Sequence, residues 1–343
     1  MAPPLVAVVG PTATGKTALA VELARALGGE IINADSRQVY RSMDIGTAKP
    51  TPAERAAARH WLIDCADPDE RFSLAAFLDA ARSAIHDITA RAMTPIVAGG
   101  TGQYVWALLE GWTVPRVAPD AGLRAELEAL ASCEGPAAIA AILRAKDPAS
   151  ADSIDPNNVR RMIRAIEVSR ATGRPFSQWQ EKAGPPLPDV RIIGLDRPRD
   201  DLYARIDARV EAMMAAGLVD EVRGLMAAGY GCNLASMSGI GYRQICAYLR
   251  GEMTLDAAVT EIKTETHRLA RMQHTWFRRD DARIHWLDAA SPDPRCILTS
   301  WTSPSCTAPA TTSSSSTRAP STATGRRSPG SSATATLALA ATG

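Results

Sequence analysis

The segment Leu5–Leu19 decides the fold, and it reads LVAVVGPTATGKTAL. Its apolar run Leu5–Val9 is typical of a buried parallel strand, and Gly10–Thr17 fits the pattern GxxxxGK[ST] at every fixed position. Glycines let such a loop turn tightly, and its amide hydrogens face phosphate oxygens beside the positive end of a helix. The sequence therefore predicts a phosphate-binding unit of strand, loop and helix.

Two side chains of this loop have expected chemical tasks. Lys16 is expected to neutralise the outermost phosphate of the ligand, and the hydroxyl of Thr17 to coordinate Mg2+. An ordinary glycine-containing turn is the alternative, which is disfavoured because strand, loop and helix occur in the required order. The motif does not distinguish among the phosphate compounds that such loops hold.

The composition indicates a globular protein. With 46% hydrophobic residues, a chain of 343 residues can bury a sizeable core, and its length suggests about two domains. The formal net charge is only +1, so a nucleic-acid partner has to meet a local basic patch. The six cysteines show neither a CxxC pair nor zinc-ligand spacing, and we expect reduced, mostly buried thiols. The N-terminal apolar run is too short for a signal peptide or a membrane span, so we expect a cytoplasmic protein without a membrane partner, by default a monomer.

Polar residues follow two further predicted strands. Glu30–Asp35 and Pro95–Ala98 have strand-like apolar character, and the second is followed by Gly-Gly-Thr-Gly, which includes Thr101. Doubly wound sheets bind ligands at the carboxyl ends of their strands. We therefore expect Asp35 to lie near Lys16.

An inserted helical domain is expected between two parts of the sheet. After Pro115 the sequence turns to alanine-rich helices, and Arg191–Leu195 has the character of a strand that rejoins the sheet. We therefore predict an α/β fold with a P-loop-type parallel sheet core, helices on both faces and an inserted all-helical domain. The expected boundaries are 1–117 and 187–290 for the catalytic core and 118–186 for the insertion.

Residues 291–343 differ in composition from the rest of the chain. They are dominated by Ser, Thr, Ala, Pro and Gly, which cannot bury enough apolar surface to fold. We predict a disordered tail there and hypothesise a frameshifted reading of the C-terminus. Sequencing of the coding DNA tests this hypothesis, because an intact frame with no neighbouring frame encoding a helical end contradicts it.

One predicted helix of the insertion combines an apolar side with an arginine-bearing side. The apolar positions are Val159, Met162, Ile163 and Ile166, and the arginines are Arg160, Arg161 and Arg164. Three arginines alone favour a solvated helix face. A contact with a phosphate backbone becomes the better interpretation if the phosphate loop faces this helix.

Taken together, these motifs resemble the tRNA dimethylallyltransferases, also called tRNA isopentenyltransferases. The resemblance covers roughly Leu5–Asp288, and its most specific part is DSRQVYRSMDIGTAKP at Asp35–Pro50. The other matching segments are GPTATGKT at Gly10–Thr17, GGTGQY at Gly99–Tyr104, PNNVRRMIRAIEV at Pro156–Val168, RIDARV at Arg205–Val210, GIGYRQ at Gly239–Gln244 and RMQHTWFR at Arg271–Arg278.

The resemblance implies a reaction and its substrates. Members of the family transfer the dimethylallyl group from dimethylallyl diphosphate to N6 of the adenine next to the anticodon on its 3′ side. They release diphosphate and act on tRNAs that read codons beginning with U. The expected partners are thus the tRNA anticodon loop and dimethylallyl diphosphate, with Mg2+ as the cofactor.

The resemblance also assigns residues to this chemistry. As catalytic residues it implies Asp35, Lys16, Thr17, Thr101 and Arg124, with Mg2+ at Thr17. The diphosphate is assigned to Gly10, Thr12, Ala13, Thr14, Gly15, Lys16, Thr17, Arg205 and Arg209. The tRNA is assigned to Asp35, Ser36, Arg37, Gln38, Thr101, Arg124, Val159, Arg160, Arg161, Met162, Ile163, Arg164, Arg271 and Gln273.

Some of these roles have alternatives. The family resemblance makes Asp35 the base that removes the N6 proton, although its position suits a group bound to the Mg2+ water shell or a loop cap equally well. The alternative for Thr101 is a cap of the following helix, and the alternative for Arg124 is a solvated helix residue. The sequence departs from the family pattern at Gln103, Ser238 and Met272, and these departures concern tRNA contacts more than the reaction.

Three other functions compete with this reading. A small-molecule kinase explains the phosphate loop, but no apolar strand ends in an obvious magnesium-binding Asp. A nucleotide switch or RNA-binding module leaves Asp35 and Thr101 without a task. Prenylation of a free adenine nucleotide uses the same chemistry but makes the arginine-bearing insertion superfluous.

Overall fold

The computed structural model describes residues 3–179, 187 and 189–290. Within them, a sheet of six parallel strands has the order β3-β2-β4-β1-β5-β6. The strands are β1 (Leu5–Val9), β2 (Gly29–Asn33), β3 (His60–Trp61), β4 (Thr94–Ala98), β5 (Val190–Asp196) and β6 (Ile284–Asp288). The predicted α/β fold is confirmed, and β1 lies at its centre, where every residue of the strand is buried.

Helices pack around this sheet or form the insertion. They are α1 (Lys16–Leu27), α2 (Pro52–Ala57), α3 (Leu74–Ala90), α4 (Gly102–Leu109), α5 (Ala121–Glu134), α6 (Pro136–Lys146), α7 (Pro148–Ser153), α8 (Val159–Thr172), α9 (Arg199–Ala215), α10 (Leu218–Ala227), α11 (Tyr242–Leu249) and α12 (Leu255–Trp276). Local signals set several ends, as the Ser73 hydroxyl caps α3 and left-handed Gly28 ends α1. None of these helices is long and apolar enough to cross a membrane, in the part of the chain that was described.

The strand bounds explain where the polar loops begin. β2 ends at Asn33, two residues earlier than predicted, so Asp35 lies beyond the strand in the loop. β4 ends at Ala98, as predicted, and pairs in parallel with both β1 and β2. The edge strand β6 was not predicted, because its short sequence IHWLD is only partly buried and carries little periodic signal.

The inserted helices have an apolar cluster of their own. Helices α5, α6 and α8 contribute buried Leu and Ile side chains, and Met162 and Ile163 are 1% and 3% exposed within this cluster. Their side chains therefore support the helix packing and do not reach a ligand in this conformation. The boundaries 118–186 stay a prediction, and the predicted tail 291–343 lies outside the described residues.

The prediction of reduced, mostly buried cysteines is wrong for the described residues. Cys232 and Cys246 form a disulfide, because the segment before α11 folds back on that helix. Cys65 and Cys133 are free but exposed. The sequence gave no sign that Cys232 and Cys246 pair, because the two residues are 14 positions apart and belong to no cysteine motif.

A buried carboxylate joins α5 to α8. Glu167 is 1% exposed and accepts hydrogen bonds from Arg124 Nε at 2.9 Å, from Arg124 Nη2 at 2.8 Å and from Arg164. The backbone N–H of Asp120 adds a bond of 2.7 Å. Burial alone raises the pKa of Glu167, but these hydrogen bonds outweigh it and lower the pKa to about 2.

Replacement of this carboxylate is expected to destabilise the protein in a pH-dependent way. Glu167→Gln leaves two arginines without their buried partner, so the free energy of unfolding at pH 7 falls by about 3 kcal/mol. Because the folded pKa lies below the unfolded value, this stabilisation is present above about pH 4.5 and disappears as the pH falls toward about 2. Urea unfolding at a series of pH values measures the difference between wild type and variant.

Glu126→Gln, at an exposed position of α5, is the matched control and is expected to change stability by less than about 0.5 kcal/mol. A difference between wild type and Glu167→Gln that is as large at pH 3 as at pH 7 contradicts the assignment.

Candidate active site

The phosphate loop has the backbone conformation that its glycines predicted. Gly10 has φ 133°, and a Cβ there would lie 2.3 Å from the carbonyl oxygen of Leu195, so no side chain fits. Gly15 has φ 93° and precedes the first turn of α1, which begins at Lys16. Lys16 Nζ donates a hydrogen bond of 2.6 Å to the Pro11 carbonyl, which folds the side chain over the loop. The N-terminus of α1 thus faces the space that a phosphate group would occupy.

Two cations are crowded together at this loop. The pKa of Lys16 is lowered to about 7, mainly because burial removes water from the ammonium group, with the charge of Arg209 acting in the same direction. Burial also lowers the pKa of Arg209, and the carboxylate of Asp35 opposes the shift at both residues. Buried cations at a glycine-rich loop are typical of an anion site, because a bound anion supplies the missing counter-charge.

Helix α9 supplies both predicted arginines to the loop. Arg209 Nη1 lies 3.3 Å from the Thr12 hydroxyl, and Arg205 Nε donates a hydrogen bond of 3.2 Å to the Ala13 carbonyl. The two residues are one helical turn apart, which is why both reach the same loop. The structure therefore brings together the predicted phosphate loop and the two predicted arginines.

Asp35 stands at the edge of the sheet next to the phosphate loop. Its Oδ1 accepts a hydrogen bond of 2.8 Å from the backbone N–H of Arg37, and its own N–H donates to Asn33 Oδ1 at 3.2 Å. Asn33 Nδ2 in turn donates to the Leu62 carbonyl at 3.0 Å, so the turn after β2 is fixed on both sides. This turn presents the carboxylate of Asp35 to the cavities described below.

Thr101 does not cap its helix. It is the residue before α4, but its side chain makes no cap hydrogen bond, which removes the helix-cap alternative. Its hydroxyl instead accepts a hydrogen bond of 3.1 Å from the N–H of Ser36. The loops after β2 and β4 are thereby joined beside Asp35.

Gln273 connects α12 to two loops of the site. Its Oε1 accepts a hydrogen bond of 2.7 Å from the N–H of Thr12, and its Nε2 donates to the Gly100 carbonyl at 3.0 Å. The residue is only 7% exposed. The sequence predicted a tRNA contact for Gln273, whereas both ends of its side chain are bonded within the protein.

Two cavities meet at these residues. The first encloses about 210 Å³ around the phosphate loop, and Lys16 and Thr17 lie in its wall. The second encloses about 450 Å³ beside it. Residues common to both walls are Thr12, Asp35, Thr47, Gly100 and Arg209. Apolar residues of the second wall include Ile206, Val210, Met213, Ile240, Ile262, Leu269, Met272 and Trp276.

The predicted tRNA-binding residues fall into two groups. Those near the cavities include Ser36 and Arg37, and Arg37 Nη1 also donates to the Ala235 carbonyl at 2.9 Å. Gln38 lies in the wall of the first cavity, where its Nε2 donates to the Thr47 carbonyl at 3.1 Å. Arg271 lies at the surface between α12 and α9, where it donates to the Tyr203 hydroxyl at 2.9 Å.

The insertion residues form the second group, and none of its described members lines either cavity. Arg124 is bonded to Glu167 and lies in the wall of neither cavity, and its contact with the target nucleotide stays a prediction. Arg164 shares that carboxylate and also donates to the Val117 carbonyl at 3.0 Å. Arg160 and Arg161 are exposed on α8, and Val159 is half-buried.

Sequence reasoning missed the residues that hold the second cavity together. The loop around Gly46 and the ring of Tyr242 both line it, and they contact each other. The motifs DIGTAKP and GIGYRQ contain these residues, but nothing in either motif shows that they meet. All three departures from the family pattern, Gln103, Ser238 and Met272, also lie in the wall of this second cavity.

The parallel sheet and the loop after its central strand place the chain among the P-loop α/β proteins, here with buried cations beside an apolar cavity. A family model described as IPP transferase matches residues 38–280, which is more than half of the chain. The chain therefore belongs to the IPP transferase family, whose curated relatives are tRNA dimethylallyltransferases.

Several relatives support this assignment. The chain is 58% identical over 290 residues to the tRNA dimethylallyltransferase of Roseiflexus castenholzii, which covers 84% of this chain and 94% of that protein. The tRNA isopentenylpyrophosphate transferase structure from Bacillus halodurans is 41% identical with a TM-score of 0.63, covering 86% of this chain and 93% of that one. The structure of a eukaryotic dimethylallyltransferase acting on tRNA is 26% identical to this chain with a TM-score of 0.75. The match covers 88% of this chain and 79% of that one.

Loss of the Gln273 side chain is expected to weaken the phosphate site. Gln273→Leu keeps the approximate size but leaves Thr12 N–H and the Gly100 carbonyl without their partner. The dissociation constant for inorganic diphosphate is expected to rise about tenfold, because a misplaced loop amide costs roughly one charge-assisted hydrogen bond. Isothermal titration calorimetry measures this constant.

Gln178→Leu, in the insertion, serves as the control and leaves the dissociation constant unchanged. An unchanged constant in Gln273→Leu, measured on protein that is fully folded by circular dichroism, contradicts the role of this side chain.

Proposed function

We propose that this chain transfers the dimethylallyl group from dimethylallyl diphosphate to N6 of the adenine next to the anticodon on its 3′ side, and releases diphosphate. Its substrates are tRNAs that read codons beginning with U. The observation that carries the proposal is the junction of an anion cavity and an apolar cavity at one carboxylate, Asp35. A diphosphate and a short hydrocarbon chain have these two chemistries in one molecule.

The donor fits across the junction. Its diphosphate lies against the loop of Thr12–Thr17, where Lys16, Arg205 and Arg209 supply positive charge. Its dimethylallyl chain extends into the apolar cavity. Bond breakage at C1 places a developing negative charge on the leaving diphosphate, and preorganised cations in such sites contribute several kcal/mol to the transition state.

The loop also suits a magnesium ion. Thr17 lies in the wall of the anion cavity, and no cluster of three His, Cys, Asp or Glu side chains able to hold a metal is present in the described part of the chain. Mg2+ commonly takes only one or two protein ligands and completes its shell with phosphate oxygens and water, so a Thr hydroxyl beside a diphosphate fits it. When bound, Mg2+ supplies charge neutralisation for the leaving diphosphate.

Asp35 is the general base of the proposed reaction. The exocyclic amine of adenine is a poor nucleophile, because its lone pair is delocalised into the ring, so proton removal assists its attack on C1. Asp35 lies where both cavities meet, and the Arg37 N–H fixes its Oδ1. Thr101, held next to Asp35 through Ser36, is placed to contact the incoming nucleotide. General-base assistance of this kind contributes about two to four powers of ten.

The acceptor adenine has to reach Asp35 and Thr101. An enzyme that modifies a base takes that base out of its stack, and single-stranded RNA loops are recognised by unstacked bases and charged side chains. Arg160 and Arg161 are exposed on α8 and suit contacts with phosphates of the anticodon arm. Arg124 and Arg164 act through Glu167 and hold the helix that presents these two residues.

A transfer assay distinguishes the proposal from the alternatives. The chain is incubated with radiolabelled dimethylallyl diphosphate, Mg2+ and bulk tRNA, AMP or ATP. Label retained in tRNA supports the proposal. Label in AMP indicates the free-nucleotide reaction, and ATP turnover without transfer indicates a kinase, so either result contradicts it.

Removal of the base is expected to stop the chemistry but not the binding. Asp35→Asn keeps the size of the side chain and lowers the prenyl-transfer rate about a thousandfold, because the amide cannot accept a proton. The dissociation constant for tRNA stays within about threefold of the wild-type value, since one small side chain adds little to a phosphate-dominated interface. Single-turnover kinetics and filter binding measure the two quantities.

Asp69→Asn, an exposed position, is the control and retains the wild-type rate. A rate for Asp35→Asn within about tenfold of wild type is too fast for loss of a general base and refutes this role.

The exposed arginines of α8 are expected to contribute electrostatic affinity for tRNA. The double variant Arg160→Gln and Arg161→Gln is expected to weaken tRNA binding about tenfold. The slope of log K against log[salt] is expected to become shallower by about two. The dissociation constant of dimethylallyl diphosphate is expected to stay the same. Filter binding at several salt concentrations tests both statements, with the exposed Arg25→Gln as a control in α1. An unchanged salt dependence contradicts the contact.

A further inference from the structure

The loop of residues 44–48 forms part of the wall where the two cavities meet. Thr47 lines both cavities, Gly46 lines the apolar one and Ala48 lines the anion cavity. The backbone of this region is unfavourable by itself, because Ser42 and Ala48 have φ values of 60° and 49° in the left-handed region. Such conformations persist only where surrounding interactions hold them.

Glu221 of α10 binds the backbone at the start of the loop. Its Oε2 accepts hydrogen bonds from the N–H groups of Asp44 at 2.9 Å and Ile45 at 2.7 Å, and its Oε1 accepts one from Gly46 at 3.2 Å. Three successive backbone N–H groups that converge on one point form an anion-binding nest. In this protein the nest is filled by a carboxylate of the same chain.

The same carboxylate fixes an aromatic ring in the wall of the apolar cavity. The Tyr242 hydroxyl donates a hydrogen bond of 2.5 Å to Glu221 Oε1. Tyr242 is 1% exposed, and a Cβ on Gly46 would lie 2.5 Å from its ring, so loop and ring are in direct contact. Burial raises the pKa of Tyr242, and the charge of Glu221 raises it further, so the phenol remains a hydrogen-bond donor.

Lys49 anchors the loop independently of Glu221. Lys49 Nζ is bonded to the Tyr40 carbonyl at 2.5 Å, to Asp44 Oδ1 at 2.7 Å and to Asp64 Oδ1 at 2.5 Å. The Lys49 side chain is 2% exposed. Loss of Glu221 therefore releases the peptide groups of residues 44–46 without detaching the whole loop, and a variant at this position is expected to fold.

We propose that Glu221 is a positioning residue for the prenyl donor: it fills the nest of residues 44–46 and thereby fixes Gly46, Thr47 and the Tyr242 ring where the two cavities meet. It acts through these residues and does not touch the donor. The inference rests on the proposed function, because it assigns the junction to dimethylallyl diphosphate. Its loss is expected to affect the donor more than the tRNA, since the exposed arginines of α8 lie outside this wall.

Steady-state kinetics of Glu221→Ala, Glu221→Gln and Tyr242→Phe test the proposal. Glu221→Ala is expected to raise KM for dimethylallyl diphosphate about tenfold, since it removes several charge-assisted hydrogen bonds from the loop. KM for tRNA is expected to stay within about twofold, and Glu221→Gln to lie between wild type and Glu221→Ala, because the amide oxygen still accepts from the loop. Tyr242→Phe, which loses one bond to Glu221, is expected to show a smaller rise. Asp220→Asn, the exposed neighbour on α10, is the matched control.

Chemical rescue separates positioning from general stability. Formate or acetate added to Glu221→Ala is expected to occupy the vacated nest and lower KM for the donor at least twofold, with no such effect on Asp220→Asn. The inference is overturned if KM for the donor is unchanged in Glu221→Ala. It is also overturned if KM for the donor and KM for tRNA rise equally and neither formate nor acetate lowers them. If the wild-type chain does not transfer the label, the proposed function has failed and the positioning role has not been tested by kinetics. The dissociation constant of dimethylallyl diphosphate, measured by calorimetry for the same variants, then decides the positioning role.

Discussion

The site depends on the close approach of the loops that follow β1, β2 and β4, the first of which also lies against β5. A Cβ on Gly99 would lie 2.3 Å from the carbonyl oxygen of Ala34, and a Cβ on Gly10 would lie equally close to that of Leu195. Only glycine permits such contacts between backbone segments. Because these strands are parallel neighbours, their carboxyl ends meet at one edge, and the glycines let the loops converge there.

This convergence concentrates charge that the protein balances only in part. Lys16 and Arg209 lie close together with Asp35 as the opposing charge, and burial lowers the pKa of both cations. The arrangement is unfavourable without an anion and becomes favourable with one. Other charged groups have their partners within the chain. Glu167 is the partner of Arg124 and Arg164, and the backbone N–H groups of residues 44–46 bind the carboxylate of Glu221. Lys16 and Arg209, whose charges are balanced only in part, both lie in the wall of the anion cavity.

Much of the fold and part of the site follow from local sequence. The phosphate loop was predictable because its conformation depends on glycines within a few positions of each other, and Asp35 and Thr101 because they follow apolar strands. Contacts across long sequence distances were not predictable. Gln273 bonds to Thr12, 261 positions away, and a buried glutamine on a helix carries no signal for that partner.

The same limit applies to charged residues. An arginine in sequence shows neither its exposure nor its partner, so the bonds of Arg124 to Glu167 could not be predicted. Met162 and Ile163 fitted the apolar side of their helix, and their burial follows from that periodicity better than a tRNA contact does. The family resemblance supplied the reaction and the candidate residues, whereas the structure shows which of these residues line the two cavities.

The central claim is that the phosphate loop holds a leaving group and that no phosphoryl group moves. Dimethylallyl diphosphate with a heavy-oxygen label in the bridge between C1 and phosphorus tests it most directly, with mass spectrometry of both products after reaction with tRNA. The account predicts that the whole label leaves with the diphosphate, because the carbon–oxygen bond breaks. Label found in a prenyl alcohol or in the modified tRNA, which requires cleavage between oxygen and phosphorus, contradicts it.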